Sequence, residues 1–303
     1  MNERPQRLRR CQLSVPGISE KMLAKAAASG VDHVFCDFED AVAPSQKDQA
    51  RKNVINALNT LDWGRTVRCV RINDVRTEWC YEDVIQLVEG AGNNIDTIML
   101  PKALEAGDIR FLDLLLGQME KSLKLERRIG IEVLIEEVEG LQNVEEIATA
   151  SDRLECLIFG MGDYSASQGM KVKDIGATEG YPGDMFHYAR FRIAMAARAA
   201  KLDPVDGPYG RFTDPEGLRR EARRALQLGM VGKWAIHPNQ IALVTEIFSP
   251  DADEIAWARK VEEKFDEAMA AGLGSISVDG RMVDVASIRV VRNILRKADA
   301  MGL

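Results

Sequence analysis

Short β-rich, mostly apolar runs recur along the chain, separated by polar segments with helical periodicity. The runs occupy residues 11–15, 33–37, 67–72, 97–100, 130–135, 156–160, 204–205 and 232–236. Continuous apolar runs, as opposed to alternating ones, suit parallel strands covered on both faces. Eight of them interleaved with helices predict a closed (β/α)8 barrel, a TIM barrel, over an open doubly wound sheet. The seventh run is the weakest and predicts little more than an extended bridge.

Punctuation supports the helices between the runs. Ser19 is placed to cap a helix that stops at Gly30, and Ser45 with Asp48 resembles a capping box. Asp214-Pro215 and Ser249-Pro250 each set a cap before a first-turn proline. Two regions break the rhythm. Residues 165–186 are long, polar and glycine-rich, as binding loops and lids are. The tail beyond Pro250 carries a charged helix, an Asp279-Gly280 hairpin signal and a last helix from about Asp284. The expected division is a barrel over 1–248 and a helical extension over 249–303, which caps a site, that of a neighbouring subunit in the simplest arrangement.

Composition narrows the classes. Of 303 residues, 46% are hydrophobic and 29% charged, which suits a globular protein with a sizeable core. The net charge of −7 and the lack of a basic stripe argue against nucleic acid. No apolar stretch approaches the ~18 residues of a membrane helix, and no apolar run follows the basic segment 4–10, so neither a membrane span nor a secretory signal is expected. Cys11, Cys36, Cys69, Cys80 and Cys156 are odd in number and scattered, which predicts buried thiols in a reducing compartment, the cytoplasm.

In a parallel barrel the reactive groups stand where strands end and βα loops begin. Those positions hold Asp37, Glu39 and Asp40; Arg71, Asn73 and Asp74; Lys102; Glu136 and Glu137; Asp163; and His237. Two carboxylates ~4 Å apart repel by about 4 kcal/mol at an effective dielectric near 20 unless a proton or cation lies between them. With many acids and only three histidines, a hard cation is the economical answer, and oxygen ligands select Mg²⁺ or Mn²⁺ over Zn²⁺. Glu136 and Asp163, each closing a strand, form the best ligand pair. The plainer alternative is that these acids cap helices or pair with Arg71 and Lys102. Arg71 suits a planar carboxylate bidentately, or an ion pair to Asp37 or Glu39, and both can hold at once. Lys102 is read as a structural or electrostatic cation, with a Schiff-base nucleophile as the alternative. His33 reads as a core residue, His187 as a helix opener near the lid, and His237 as structural, or else an acid or base. There is no phosphate loop, nucleophile elbow or zinc-protease motif, and Gly160-Met-Gly162 lacks the third glycine of a dinucleotide fingerprint.

With these residues in place, the chain resembles the malyl-CoA lyase family, relatives of the citrate lyase β subunit within the HpcH/HpaI aldolase-like barrels. The resemblance runs over nearly the whole length. It is carried by CQLSVPG (11–17), CDFEDAVAPSQKDQAR (36–51), LDWG (61–64), VRIND (70–74), IMLPK (98–102), EVLIEEVEG (132–140), FGMGDYSAS (159–167), PVDGPYGRFTDPEG (204–217), MVGKWAIHPNQ (230–240) and GRMVDVASI (280–288). It implies a homotrimer or homohexamer, Mg²⁺ held by Glu136 and Asp163, and Arg71 gripping the carboxylate of glyoxylate or pyruvate. It further implies that Asp284, on the tail of a neighbouring subunit, closes the site as acid or base. CoA is then expected along the first strand and helix near Ser14, Ser19 and Lys25. The backbone around Ile236 and His237 is expected at the thioester, and Gly162 with Asp163 against the substrate.

The implied reaction is metal-dependent cleavage of malyl-CoA or β-methylmalyl-CoA to glyoxylate and acetyl-CoA or propionyl-CoA. The alternatives are citramalyl-CoA cleavage to pyruvate, a malate-synthase-like enzyme that also hydrolyses the thioester, and a citrate lyase β-like or accessory subunit working within a complex.

Overall fold

The computed structural model describes residues 4–172, 175 and 183–303. Part of the expected binding loop, 173–174 and 176–182, lies outside the described residues. The chain divides into two compact units, Met1–Thr245 and Glu246–Leu303.

The first unit is a closed barrel of eight parallel strands in sequence order. They are β1 (Cys11–Pro16), β2 (His33–Asp37), β3 (Val67–Arg71), β4 (Thr97–Leu100), β5 (Gly130–Ile135), β6 (Leu154–Phe159), β7 (Asp203–Asp206) and β8 (Gly232–Ala235). Closure comes from β8 against β1, with Gln12 paired to Trp234. The helices between them are α1 (Glu20–Ala27), α2 (Lys47–Thr60), α3 (Cys80–Ala91), α4 (Ala106–Leu123), α5 (Val138–Gln142), α6 (Val144–Ala148), α7 (Met161–Ser167), α8 (His187–Ala199) and α9 (Pro215–Gln227). A further helix, α10 (Ile241–Phe248), follows β8.

All six residues of β5 and all six of β6 are buried, which is why, Glu132 and Glu155 apart, their runs are apolar without alternation. Inside the barrel Phe35, Cys69, Met99, Leu134, Cys156, Ile158, Val205 and Trp234 pack into one cluster, so the interior is a filled core and not a pore. The weak seventh run is a true strand. Its two aspartates face partners, Asp203 bonding Arg9, and Asp206 bonding Arg190 and Lys233. All five cysteines are buried and free, as the spacing predicts.

Two caps differ from expectation. Pro44 opens a 3-10 turn at Pro44–Gln46, so Ser45 falls inside it and α2 begins at Lys47 with no side-chain cap. In the second unit α11 (Ala252–Ala270) is capped by Asp251, not Ser249, because Asp251 and Glu254 form a reciprocal capping box. Asp214 caps α9 as expected, accepting from the amide of Gly217.

The second unit comprises α11, an antiparallel hairpin of β9 (Ser275–Val278) and β10 (Arg281–Asp284), and α12 (Val285–Met301). Asp279 and Gly280 have φ of 49° and 75°, the left-handed pair a tight hairpin turn needs. Val261, Phe265, Val278, Val283, Ile288, Val291 and Leu295 form its own small core.

Candidate active site

Asp37 and Arg71 end neighbouring strands in direct register, which brings them together at the C-terminal mouth of the barrel. Nε and Nη2 of Arg71 each donate to one oxygen of Asp37 at 2.7 Å. Asp37 also accepts the amides of Glu39 and Ala41, which folds the loop after β2 around its carboxylate. Although Asp37 is buried, the Arg71 guanidinium holds its carboxyl below the ordinary range. Beneath Arg71 lie the rings of Phe35 and Trp234, 5.9 and 5.8 Å from its central carbon, which add cation–π attraction. The ion-pair expectation for Arg71 is met by both Asp37 and Glu39.

The next loop supplies Lys102. Its backbone is left-handed, with φ of 49°, and its amide donates to Oε1 of Glu136 at 2.9 Å. Its ammonium reaches Glu39 Oε1 at 2.5 Å and Asp40 Oδ1 at 3.2 Å. Burial alone would lower this ammonium, but the contacts with Glu39 and Asp40 raise it on balance. A lysine held in the charged form is a poor imine-forming nucleophile, and its two ion pairs fit the electrostatic reading.

Glu136 follows β5 and is almost wholly buried, at 2% exposure. Burial, joined by the charges of Glu39 and Asp163, pushes its carboxyl well above the usual range, against the opposing pull of Arg71 and the Lys102 amide. Asp163 sits in the first turn of α7, directly after β6, and is half-buried. Burial likewise pushes Glu39 up to about 7, with Arg71 opposing it. Asp37, Glu39, Asp40, Glu136 and Asp163 are five acids around two cations, Arg71 and Lys102. Five acids against two cations leave an excess of negative charge that a divalent cation would offset. Glu136 Oε2 accepts no hydrogen bond among the described residues, and Asp163 stands on the adjacent loop, so the donor set fits a hard, oxygen-loving ion.

Other sequence candidates take structural posts. Asn73 is bound to Asp83 through its amide and side chain, and receives Lys47. Asp74 pairs with Arg76, and Glu137 stands at the N-cap of α5 without a side-chain bond there. Asn73 and Asp74 also line a cleft of about 340 Å³ that borders Glu39 and Lys102.

The residues expected to hold CoA lie on the β1, α1, β6 and β8 side. Ser14 is half-buried on β1, Ser19 caps α1 through a long 3.4 Å bond from Met22, and Lys25 is exposed on α1. Gly162 lies in the first turn of α7, where an added Cβ would come within 3.3 Å of Ile175. The amide of Ile236 is already committed to Gln240 Oε1 at 2.8 Å, leaving its exposed side chain and carbonyl. His237 is exposed, stacks on Phe212 at 4.9 Å and accepts the Asn239 amide through Nδ1. His187 opens α8 and stacks on Phe191. Asp284, in the second unit, is the N-cap of α12 and accepts from Ser287 through Oδ1.

One polar layer went unread in the sequence. Glu132, in the middle of β5, receives Arg9, Gln12, His33 and Thr97 deep in the barrel. With His33 and Cys69 it forms the one cluster of three potential metal-ligand types among the described residues. The carboxylate is already saturated by donors, so this is an ion-pair layer, not a metal centre. The signal was an acid inside an otherwise apolar run, which only a partner cation makes affordable. In the sequence Gly160 looks like part of an incomplete dinucleotide fingerprint. A Cβ there would lie 2.4 Å from Oε2 and 2.5 Å from Cβ of Glu136.

Fold and site together define an aldolase-like barrel enzyme. The chain belongs to the HpcH/HpaI aldolase/citrate lyase family, whose model matches residues 10–238. It is 44% identical to an L-malyl-CoA/β-methylmalyl-CoA lyase of Cereibacter sphaeroides, over 98% of this chain and 97% of that one. It is 32% identical to a malyl-CoA/β-methylmalyl-CoA/citramalyl-CoA lyase of Chloroflexus aurantiacus, over 97% and 89% of the two chains. Among solved structures it matches CitE of Mycobacterium tuberculosis in complex with magnesium, acetoacetate and coenzyme A. That match has a TM-score of 0.76 and 30% identity, covering 95% of this chain and 97% of that one.

Proposed function

We propose that the protein is a divalent-metal-dependent lyase that reversibly cleaves malyl-CoA or β-methylmalyl-CoA to glyoxylate and acetyl-CoA or propionyl-CoA. The observation that carries this reading is the convergence of Arg71, Glu136 and Asp163 at the barrel mouth, with Glu136 buried and short of positive charge. The 44% identity to a lyase of that name over nearly both full chains supports the choice of substrate.

Glu136 and Asp163 would hold the metal, Mg²⁺ first and Mn²⁺ as a substitute. When bound, such an ion polarises the carbonyl of the oxo acid and offsets the acids around it. Arg71, fixed by Asp37, presents its remaining N–H groups to the oxo-acid carboxylate. In cleavage the hydroxyl proton passes to a carboxylate base, the bond between C2 and C3 breaks, and its electron pair moves into the thioester as an enolate. Protonation at carbon then releases acetyl-CoA or propionyl-CoA. Asp284 of a neighbouring subunit is the proposed proton carrier, which gives the second unit its role as a cap. Ser14, Ser19 and Lys25 are the proposed contacts to CoA and the Ile236-His237 segment to its thioester, with Gly162 and Asp163 against the substrate. The assembly is proposed as a homotrimer or homohexamer in the cytoplasm.

The test is a panel of hydroxyacyl-CoA thioesters incubated with the purified chain and Mg²⁺, with the released oxo acid identified. Glyoxylate from malyl-CoA, abolished by chelator, is the expected result. Pyruvate from citramalyl-CoA alone, or activity only with an added partner protein, would replace this reading with the corresponding alternative.

A further inference from the structure

Arg71 and Lys102 share one carboxylate, and they share it unequally. Lys102 Nζ is hydrogen-bonded to Glu39 Oε1 at 2.5 Å. The other oxygen, Oε2, lies 2.9 Å from Nη1 of Arg71 as an ion pair, yet this buried atom accepts no hydrogen bond. The inner edge of Arg71, Nε and Nη2, is spent on Asp37. Nη1 donates no hydrogen bond among the described residues, although Glu39 and, at 3.8 Å, Asp40 are beside it.

A guanidinium this close to a carboxylate ordinarily aligns a short, charge-assisted bond. Here Lys102 holds the other oxygen of the same carboxylate. Lys102 is itself fixed by its left-handed backbone at the end of β4 and by its amide on Glu136. The acid therefore neutralises Arg71 without consuming the donors that face the reacting centre.

We propose that Lys102 is a positioning residue for the oxo-acid carboxylate: by drawing Glu39 to itself, it keeps the outer N–H groups of Arg71 free for an α-oxo carboxylate. This rests on the lyase reading above. Without the ammonium, Glu39 would turn onto Nη1, and an incoming carboxylate would have to displace a like charge. The binding of glyoxylate would suffer, while the site for the thioester would not.

The experiment is steady-state condensation of glyoxylate with acetyl-CoA at saturating Mg²⁺, in the wild type, Lys102→Met, Glu39→Gln and the double variant. Lys102→Met is expected to raise the KM for glyoxylate by about tenfold, with kcat and the KM for acetyl-CoA changing by less than about threefold. Adding Glu39→Gln to it removes the competing charge and should bring the glyoxylate KM most of the way back. Mg²⁺ affinity, titrated calorimetrically without substrate, should hold within about threefold in Lys102→Met, since the amide on Glu136 remains.

A rise in KM that Glu39→Gln does not reverse, an equal rise for acetyl-CoA, or no rise at all would overturn the proposal. Should Lys102→Met not fold, Glu39→Gln alone decides. Its glyoxylate KM must stay at or below the wild-type value, and an increase of about tenfold rejects the idea. A wild-type chain that fails to condense the pair rejects the lyase reading itself, which separates the two failures.

Discussion

Gly160 and Glu136 occupy adjoining space so closely that no side chain fits at Gly160. A Cβ there would approach both Oε2 and the Cβ of Glu136 to about 2.5 Å or less. The near contact with Glu136 Cβ matters most, because that atom sits next to the backbone of β5 and cannot swing aside. Gly160→Ala should therefore push Glu136 out of line, at a cost of about 1–3 kcal/mol in stability. The same variant should weaken Mg²⁺ binding by at least about tenfold. Calorimetric titration of Mg²⁺ beside a urea melt checks both. Unchanged affinity would mean that Glu136 does not hold the ion.

Asp163 offers a cleaner cut, since it is half-buried and caps nothing that the barrel needs. Asp163→Ala should leave the fold intact and abolish metal-dependent turnover. In the wild type, Mg²⁺ at 100 times its dissociation constant should add about 2.7 kcal/mol of stability. In Asp163→Ala that increment should vanish. Thermal melts with Mg²⁺ and with chelator measure it, and a full Mg²⁺-induced rise in Tm in the variant would remove Asp163 from the metal site.

Arg71→Lys tests the fork directly. A single ammonium cannot satisfy both oxygens of Asp37 and still offer two parallel donors to a substrate carboxylate. We expect kcat/KM for malyl-CoA cleavage to fall by about a hundredfold or more, mostly through the oxo-acid half of the reaction. Arg71→Ala should go further and cost about 3–5 kcal/mol of stability, because it strands the buried Asp37 without its counter-charge. Urea unfolding separates the two losses. An Arg71→Lys enzyme with near-normal kcat/KM would show that the fork is not used.

These side chains were visible in the sequence for a physical reason. Strands covered on both faces are largely apolar, so charged residues at or just past the end of a run mark a strand end, and Arg71, Glu136 and Asp163 stand at such positions. What could not be seen was anything set by contact across the barrel. Glu132 looks like an error in an apolar strand until Arg9, from the segment before β1, arrives beside it. Gly160 looks like a turn residue until Glu136 fills the space over it. Ser249 offered a plausible cap and lost to Asp251, which gains a second bond through Glu254. The unequal sharing of Glu39 between Lys102 and Arg71 depends on how side chains from the ends of three strands meet, and no spacing along the chain encodes it.

Two opposed groups of carboxyls give the stability of the metal-free protein a definite pH profile. Burial raises Glu39, to about 7, and Glu136. Groups raised in the folded state contribute stability below their unfolded value near 4.3, and it is lost as pH rises through the folded value. Glu132 and Asp206 have the opposite sign. Both are buried, which alone would raise them, but His33 and Arg9 hold Glu132 well below the usual range, while Arg190 and Lys233 hold Asp206 below it. Their contribution is present above about pH 4 and lost as pH falls through the depressed values. The urea midpoint of the metal-free chain should therefore rise from about pH 8 to a maximum near pH 5 and fall steeply below about pH 4. Saturating Mg²⁺ should flatten the alkaline arm, because the ion supplies what the proton supplied to Glu136. Glu132→Gln should lower the plateau by about 3–5 kcal/mol and soften the acid arm, so that the two curves converge toward low pH. Parallel curves for the variant and the wild type across the acid range would show that Glu132 is not the group whose protonation unlocks the barrel.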